Sequence, residues 1–532
     1  MDTLNSKTSL RQSSLLLFPP NWSACVSGPH LALPLIAGAL KRELIDVSVY
    51  DLSEEFYRLY GHQPDNAAIR KACDDEDIGI LDDLYFKWED SFLPLAKKQG
   101  QAFGLLSGFS GGNYNGEDID DLVQRIEKGT VYSEYFDSIV RKKVVEHDPG
   151  LVGISISSYN QIFSAVELIL RVREWLPKCK IVLGGNILTR LRDSRSFGQL
   201  EKLVDRMIIY QGDAAIIAYY KAVFSGIDSD CNYAMEKIDY NHWPTPYFKG
   251  LNYGSYPGGV NTLSYVSARG CYYGKCSFCA IPAGWAKGGY AGSAPGMFAV
   301  QQIKQMIQET GLARIKFVDE AFIPSKCRDI LRTNELLNVS FEWEAYARVE
   351  TAWESRELLS IAYESGCRRL YFGLEIAPDA NRKPLLKNDK GNIMKIMERC
   401  KETGILVHLF CMVGHPGTSV TDAELTVKFL IDHQHLIDTS DLVGFRLDRG
   451  TSVIGVKRKD MHFSDLAMSY DYEASFPGNF NSQEVNELEF QCQEMIWDTV
   501  PRLLHPLYRI GNRWGKGMGE RNGIVSLSEV IQ

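Results

Sequence analysis

Long hydrophobic runs are missing from this sequence. No stretch of its 532 residues approaches the roughly twenty consecutive apolar residues of a membrane-spanning helix. The first apolar run, Leu15–Phe18, is short and leads straight into Pro19-Pro20, so no secretory signal is expected there. An excess of positive charge is missing too. With 58 Lys and Arg against 67 Asp and Glu, the formal net charge is −9, which argues against a general binder of nucleic acid or of a membrane surface. The 12 cysteines lack the spacing of a disulfide framework, which suits a reducing cytoplasm and oxygen-sensitive chemistry. No Gly-x-Gly-x-x-Gly follows the first strand-like run, which counts against a dinucleotide site. What remains is the composition expected of a soluble globular protein, 45% hydrophobic and 23% charged, at a length that calls for two or three domains.

Three of the cysteines fall together in Cys271-Tyr-Tyr-Gly-Lys-Cys276-Ser-Phe-Cys279, directly after a strand-like run, Leu263–Ala268, and the pair Arg269-Gly270. Three thiolates at short, unequal spacing suit one face of an iron–sulfur cube, and leave one iron open to a small molecule unless a distant cysteine closes it. A structural zinc site is the bland alternative. It prefers four ligands in paired knuckles, and no second Cys-x2-Cys or matching His pair follows.

This stretch resembles the radical S-adenosylmethionine (SAM) superfamily, through the strand, the Arg-Gly-Cys and the Cys-Ser-Phe-Cys. The usual family spacing is Cys-x3-Cys-x2-Cys, whereas this chain has Cys-x4-Cys-x2-Cys; Gly274 is placed to absorb the extra residue as a bulge. The resemblance implies a 4Fe–4S cluster on Cys271, Cys276 and Cys279, SAM as co-substrate, and an electron donor such as a flavodoxin or ferredoxin.

Residues 1–235 read as short apolar strands alternating with helices: Leu15–Phe18, Val47–Tyr50, Leu151–Ile156, Lys180–Leu183 and Met207–Ile209 are the strands. That alternation implies a parallel, doubly wound α/β sheet of Rossmann-like type, with ligands at the C-terminal strand ends. Residues 52–130 interrupt it as a mainly helical insertion. Within it Asp74–Asp77 reads as a solvated acidic turn and Ser107–Asn113 as a flexible loop. The order Pro-Pro, Gly-Ile-Ser, Gly-Gly, Gly-Asp resembles the cobalamin-binding domain that precedes many radical enzymes. By that resemblance Ser155, Ser157 and Ser158 contact the nucleotide tail, and Gly184, Gly185 and Gly212 allow close backbone approach. The Asp-x-His-x-x-Gly motif of a second cobalamin class is absent after the first strand, and Asp460-Met-His462 lacks its glycine.

A linker is expected over 236–258, running into Pro257-Gly-Gly259. Strands then recur near Leu263, Arg314, Phe341, Leu370, Leu406 and Leu442, with helical patterns at Val300–Glu309, Glu354–Glu364, Met394–Glu402 and Asp422–Ile431. Six such units over 259–450 resemble the open (β/α)6 partial TIM barrel of the radical family. By family match Asp319 and Glu320 lie near the SAM amino group, Arg348 near its carboxylate, Glu375 near the ribose and Phe278 against the adenine. Structural ion pairs are the plain alternative for each. Cys411 and His415 stand at the barrel mouth with cluster-ligand, acid–base and core roles all open. Residues 451–532 read as a mainly helical cap, with Trp497 and Leu503 as packing residues and Arg509, Arg513 and Lys516 as a solvated basic end.

The implied activity is methyl transfer from methylcobalamin to an unactivated carbon of a natural-product or peptide intermediate, after hydrogen abstraction by a 5′-deoxyadenosyl radical. A non-methylating radical rearrangement or oxidation, a polar methyl transfer and a non-catalytic cofactor sensor are the alternatives. The expected substrate is a small molecule or peptide, with neither nucleic acid nor membrane as partner and a cytoplasmic location.

Overall fold

The computed structural model describes residues 12–20, 22, 28–105, 108–110, 117–225, 243–252, 256, 262–284, 290–451, 461–462, 465–466, 469–472 and 480–511. Pro257–Gly259, most of Ser107–Asn113, Asp460, Arg513 and Lys516 lie outside them.

The first sheet has five strands: β1 (Ser13–Phe18), β2 (Asp46–Asp51), β3 (Leu151–Ser155), β4 (Lys180–Gly184) and β5 (Arg206–Met207). Their order is β2-β1-β3-β4-β5 and every pairing is parallel. β1 and β3 are buried along their whole length, which is why they read as unbroken apolar runs rather than as alternating ones. Leu16 and Phe18 face a core shared with helix α1 (Ala32–Arg42) and helix α3 (Gly212–Ser225). Leu15 and Leu17 face the opposite core, shared with helix α2 (Gln161–Trp175) and the insertion. The strand order reverses between β1 and β3, so a crevice opens at their C-terminal ends.

The segment between β2 and β3 is mainly helical from Leu52 to His147. It adds one short hairpin, Ala102–Gly104 with Gly108–Ser110, which holds the described part of the loop read as flexible. Its core is aromatic. Trp22 meets Tyr57, Trp88, Phe92 and Phe103 edge-on at 5.0–5.8 Å. The Asp74–Asp77 turn has a structural use: Asp77 accepts from the Ile80 amide and caps the helix Ile78–Lys98.

The second sheet has six strands in sequential order, all parallel: β6 (Thr262–Tyr265), β7 (Arg314–Phe317), β8 (Glu342–Ala347), β9 (Cys367–Glu375), β10 (Leu406–Val413) and β11 (Thr439–Gly444). Among the described residues β6 and β11 do not pair, so the sheet is an open partial barrel. Ile315, Phe317, Trp343, Ala345, Leu370, Phe372 and Leu409 pack under the surrounding helices. The alternate residues, including Lys316, Glu344, Tyr346, Tyr371 and His408, therefore face the barrel interior. Among the barrel helices, α4 (Lys326–Leu337) has no counterpart in the sequence pattern. It buries only Lys326, Cys327, Ile330 and Thr333, and its Leu336 is 73% exposed, so its apolar stripe is too thin to register.

The tail combines a small antiparallel sheet (Leu447–Asp448, Met461–His462, Ser469–Tyr472) with helices α5 (Ser482–Thr499) and α6 (Pro506–Gly511). The reading of a mainly helical cap does not include this sheet, whose strands are too short for an alternating pattern. Leu503 is buried, and Trp497 stacks on His505 at 5.5 Å. His505 reaches Asp82 of the insertion at 3.0 Å, and Arg509 pairs with Asp441 of β11 rather than standing free in solvent. The tail thus ties the barrel to the insertion. No described helix is long and apolar enough to cross a membrane.

Gly185, at the C-terminal end of β4, has φ +114°, and a Cβ there would lie 2.1 Å from the Ile156 carbonyl oxygen. Gly185→Ala is expected to lower stability by about 2 kcal/mol or more. Gly198→Ala, in open space on a helix, is expected to change it by less than about 1 kcal/mol. Denaturant titration of both variants checks this, and equal midpoints would contradict the backbone conformation described.

Candidate functional site

The strand Ala268–Gly270 follows β6, pairs with Tyr290–Ser293, and delivers the chain into the cysteine loop. Cys271, Cys276 and Cys279 are all partly exposed, whereas the other seven described cysteines are buried. Gly274 has φ +61°, so the four-residue gap turns through a left-handed glycine as the spacing suggested. Two tyrosines pin that gap. Tyr272 donates to Glu350 at 2.7 Å, and Tyr273 donates to the Leu386 carbonyl at 2.6 Å. The Ser277 amide donates to the Leu385 carbonyl at 3.0 Å, and the His415 ring lies 3.2 Å from the Ser277 hydroxyl. Phe278 meets the His415 ring edge-on at 6.3 Å. His415 is therefore a brace for the cysteine loop, while Cys411 is buried in the barrel core.

Burial pushes the Cys276 thiol up to about 11 and the Cys279 thiol up to about 12, and the neighbouring thiols add to the shift. A bound cation reverses that preference and favours thiolates. The donor set, three partly exposed thiols on one loop turned by Gly274, fits an iron–sulfur cube.

The charged residues singled out in the sequence surround this loop unequally. Arg348 lays its guanidinium over the Tyr273 ring at 3.9 Å and donates to the Asn388 carbonyl at 3.0 Å. Its Nε is buried without a hydrogen-bond partner. Glu375 ends β9 after a bulge, has φ +69°, and pairs with Lys387 at 2.9 Å. A non-glycine residue in that region is strained, and such strain collects at functional sites. Arg348, Glu375 and Lys387 all bear electrostatically on Cys276. Asp319 differs. It is fully buried, accepts from the Ser267 amide and hydroxyl, and accepts from the Ala268 amide at 2.9 Å, so it braces the strand leading to the cysteines. Its neighbour Glu320 is half-buried and close enough to bear on Cys279. Lys387, Asp389 and Arg382 were missed in the sequence. They sit on an irregular loop, where no periodicity marks them.

A cavity of about 460 Å³ lies between the two sheets. Three groups of residues line it. Leu16, Gly153 and Val182 are register partners across β1, β3 and β4. His30, Ser155, Ser157, Gly184 and Gly212 come from the strand ends and the connections after them. Ser264, Lys316, Glu320 and Tyr346 come from the barrel. Gly185 also lines it, at a positive φ where an added Cβ would meet the Ile156 backbone. Ser158 does not line it, although its hydroxyl oxygen is buried with no hydrogen-bond partner. Apolar strand residues beside polar strand-end residues suit a ligand with both kinds of surface.

One ion pair joins the two halves of the cavity wall. Arg269 forks onto Asp213, with both N–O distances at 3.1 Å, and the guanidinium stacks over Trp243 at 4.3 Å. Both side chains are buried, at 1% and 6% exposure. Their signal was present in the Arg-Gly-Cys and the Gly-Asp, but nothing in the sequence says that the two motifs meet.

Residues 265–430 match the sequence model described as the radical SAM superfamily. The chain carries a radical SAM domain. Over most of its length the fold is similar to solved structures of the radical SAM methyltransferase TsrM from Kitasatospora setae. One of these holds cobalamin and a [4Fe-4S] cluster, at 15% identity and a TM-score of 0.51, covering 83% of this chain and 77% of that one. The other holds tryptophan and the SAM analogue aza-SAM, at 16% identity and a TM-score of 0.51, covering 83% and 75%. No curated protein matches the sequence.

The radical SAM domain thus meets the first sheet through the Arg269–Asp213 pair. Asp213→Ala is expected to lower stability by about 3–5 kcal/mol, since it strands a buried guanidinium. The double change Arg269→Met with Asp213→Leu is expected to recover much of that loss. Equilibrium unfolding of the three proteins decides it, and a loss below about 1 kcal/mol in Asp213→Ala would mean that the pair is solvated.

Proposed function

We propose that the chain is a cobalamin-dependent radical SAM methyltransferase, moving a methyl group to an unactivated carbon of a natural-product or peptide intermediate. The observation that carries this reading is the single cavity lined by both the first sheet and the barrel, with Glu320 lining it and bearing on Cys279. A corrinoid at the first sheet and a substrate on the barrel side would share that one space.

A bound cluster would supply one electron to the SAM sulfonium, and a corrinoid would carry the methyl group. The chain supplies orientation. Cys271, Cys276 and Cys279 would hold the cluster. Arg348 and Lys387 present cations beside Cys276 for the SAM carboxylate, a match for a guanidinium fork in particular. Glu375 is assigned to the ribose diol and Phe278 to the adenine. Glu320 accepts from the SAM ammonium, while Asp319 keeps the strand before the cysteines in place. Ser155, Ser157, Gly184 and Gly212 are assigned to the corrinoid rim, with Gly185 shaping the turn and Ser158 close behind. The apolar wall of the cavity keeps water from the reacting carbon.

Anaerobic reconstitution with iron, sulfide and cobalamin, followed by SAM and reductant, tests the reading. Wild type is expected to give both 5′-deoxyadenosine and S-adenosylhomocysteine, and Cys276→Ala neither. Deoxyadenosine alone would point to a non-methylating radical reaction, and S-adenosylhomocysteine alone to polar methyl transfer. Neither product from a fully loaded protein would overturn the assignment. In equilibrium dialysis Arg348→Ala is expected to weaken SAM binding about tenfold or more, the loss of one charge-assisted pair.

A further inference from the structure

His30 lines the cavity from the connection between β1 and α1. Its ring is stacked on Phe18, the last residue of β1, with centroids 4.7 Å apart and planes 20° from parallel. Its Nδ1 accepts a hydrogen bond from the Ala32 amide at 3.2 Å, and Ala32 is the first residue of α1. The side chain of the preceding Leu31 makes no cap, so His30 serves one of the orphan amides of that helix end.

That bond decides where the imidazole proton sits. A nitrogen that accepts from an amide has its lone pair engaged and carries no hydrogen. The proton of the neutral ring is then on Nε2. Burial lowers the ring to about 4, so the neutral form with its single N–H is the one present near neutrality. For Nε2 to bind a metal, the proton would have to move to Nδ1, setting two N–H groups against each other at the start of α1.

Taking the corrinoid reading of this cavity as given, we propose that His30 is a hydrogen-bond donor to the corrinoid, through Nε2–H to an oxygen of the cofactor or of water bound to it. A histidine does follow the first strand, as in proteins that bind cobalt through nitrogen, but the helix end has fixed it in the tautomer that donates.

The test uses the full chain loaded with hydroxocobalamin and reduced to the cob(II) state. Wild type is expected to show a cobalt EPR spectrum without nitrogen superhyperfine splitting from histidine, unchanged by 15N labelling of histidine. His30→Asn retains an acceptor near the Nδ1 position for the Ala32 amide but lacks the reach of Nε2. It is expected to bind hydroxocobalamin about fivefold to tenfold more weakly, the size of one hydrogen bond. His30→Gln, which restores a donor at that reach, is expected to bind within about twofold of wild type. A histidine nitrogen splitting that vanishes in His30→Asn would overturn the proposal in favour of a cobalt ligand. Unchanged binding in His30→Asn would overturn it in favour of a purely structural cap. Wild type that retains no corrinoid through gel filtration would overturn both this proposal and the corrinoid reading on which it rests.

Discussion

The buried pair Arg269–Asp213 is the constraint on which the rest of the site depends. Asp213 opens α3 of the first sheet, and Arg269 stands two residues before the first cysteine of the barrel loop. A guanidinium taken out of water needs a partner with matched geometry, and the two-point contact provides it. The fork has a narrow range of allowed angles. It therefore sets both the separation of the sheets and the direction in which the chain leaves for the cysteines. Trp243, in the connection between the domains, covers the face of the guanidinium and completes its enclosure. Further ties between the first domain and the barrel side, Arg190–Asp448 at 2.8 Å and the tail's His505–Asp82 at 3.0 Å, act alongside it.

Around this constraint the charged residues divide into two kinds of work. Asp319 spends its carboxylate on two backbone amides and a serine hydroxyl, and so stiffens the segment that delivers the cysteine loop. Glu375 stands at the end of its strand in a strained backbone conformation, with its carboxylate directed to Lys387. Buried, satisfied acceptors build the scaffold, while the strained and half-buried ones face the loop. The extra residue in the cysteine spacing fits the same division. Gly274 takes up the turn, and two tyrosines, one of them under Arg348, hold the enlarged gap in place.

Much of the fold was legible because it is written in local pattern. The apolar runs of β1 and β3, the repeated strand–helix spacing of the barrel and the Cys-x4-Cys-x2-Cys each sit within a few residues of one another. Helix α4 was not legible, because a helix that buries two apolar side chains leaves almost no periodic signal. The roles of Asp319 and Glu320 could not be separated from sequence, since adjacent residues alternate in direction and only the fold says which one points inward. Lys387 and Asp389 lie on an irregular loop, and the meeting of Arg269 with Asp213 spans 56 residues, so neither leaves a local trace. His30 carries no motif at all. Its meaning comes from the helix end beside it and the cavity in front of it.

The central claim is that one chain holds a cluster on its cysteine loop and a corrinoid in the first-sheet crevice, as separate sites in a shared cavity. Metal analysis after anaerobic reconstitution and gel filtration tests it most directly, comparing wild type with a variant in which Cys271, Cys276 and Cys279 are all alanine. The account expects about four irons and about one cobalt per chain in wild type, and retained cobalt with iron lost in the variant. A chain that binds iron but no cobalt, or that loses cobalt together with the cysteines, would contradict it.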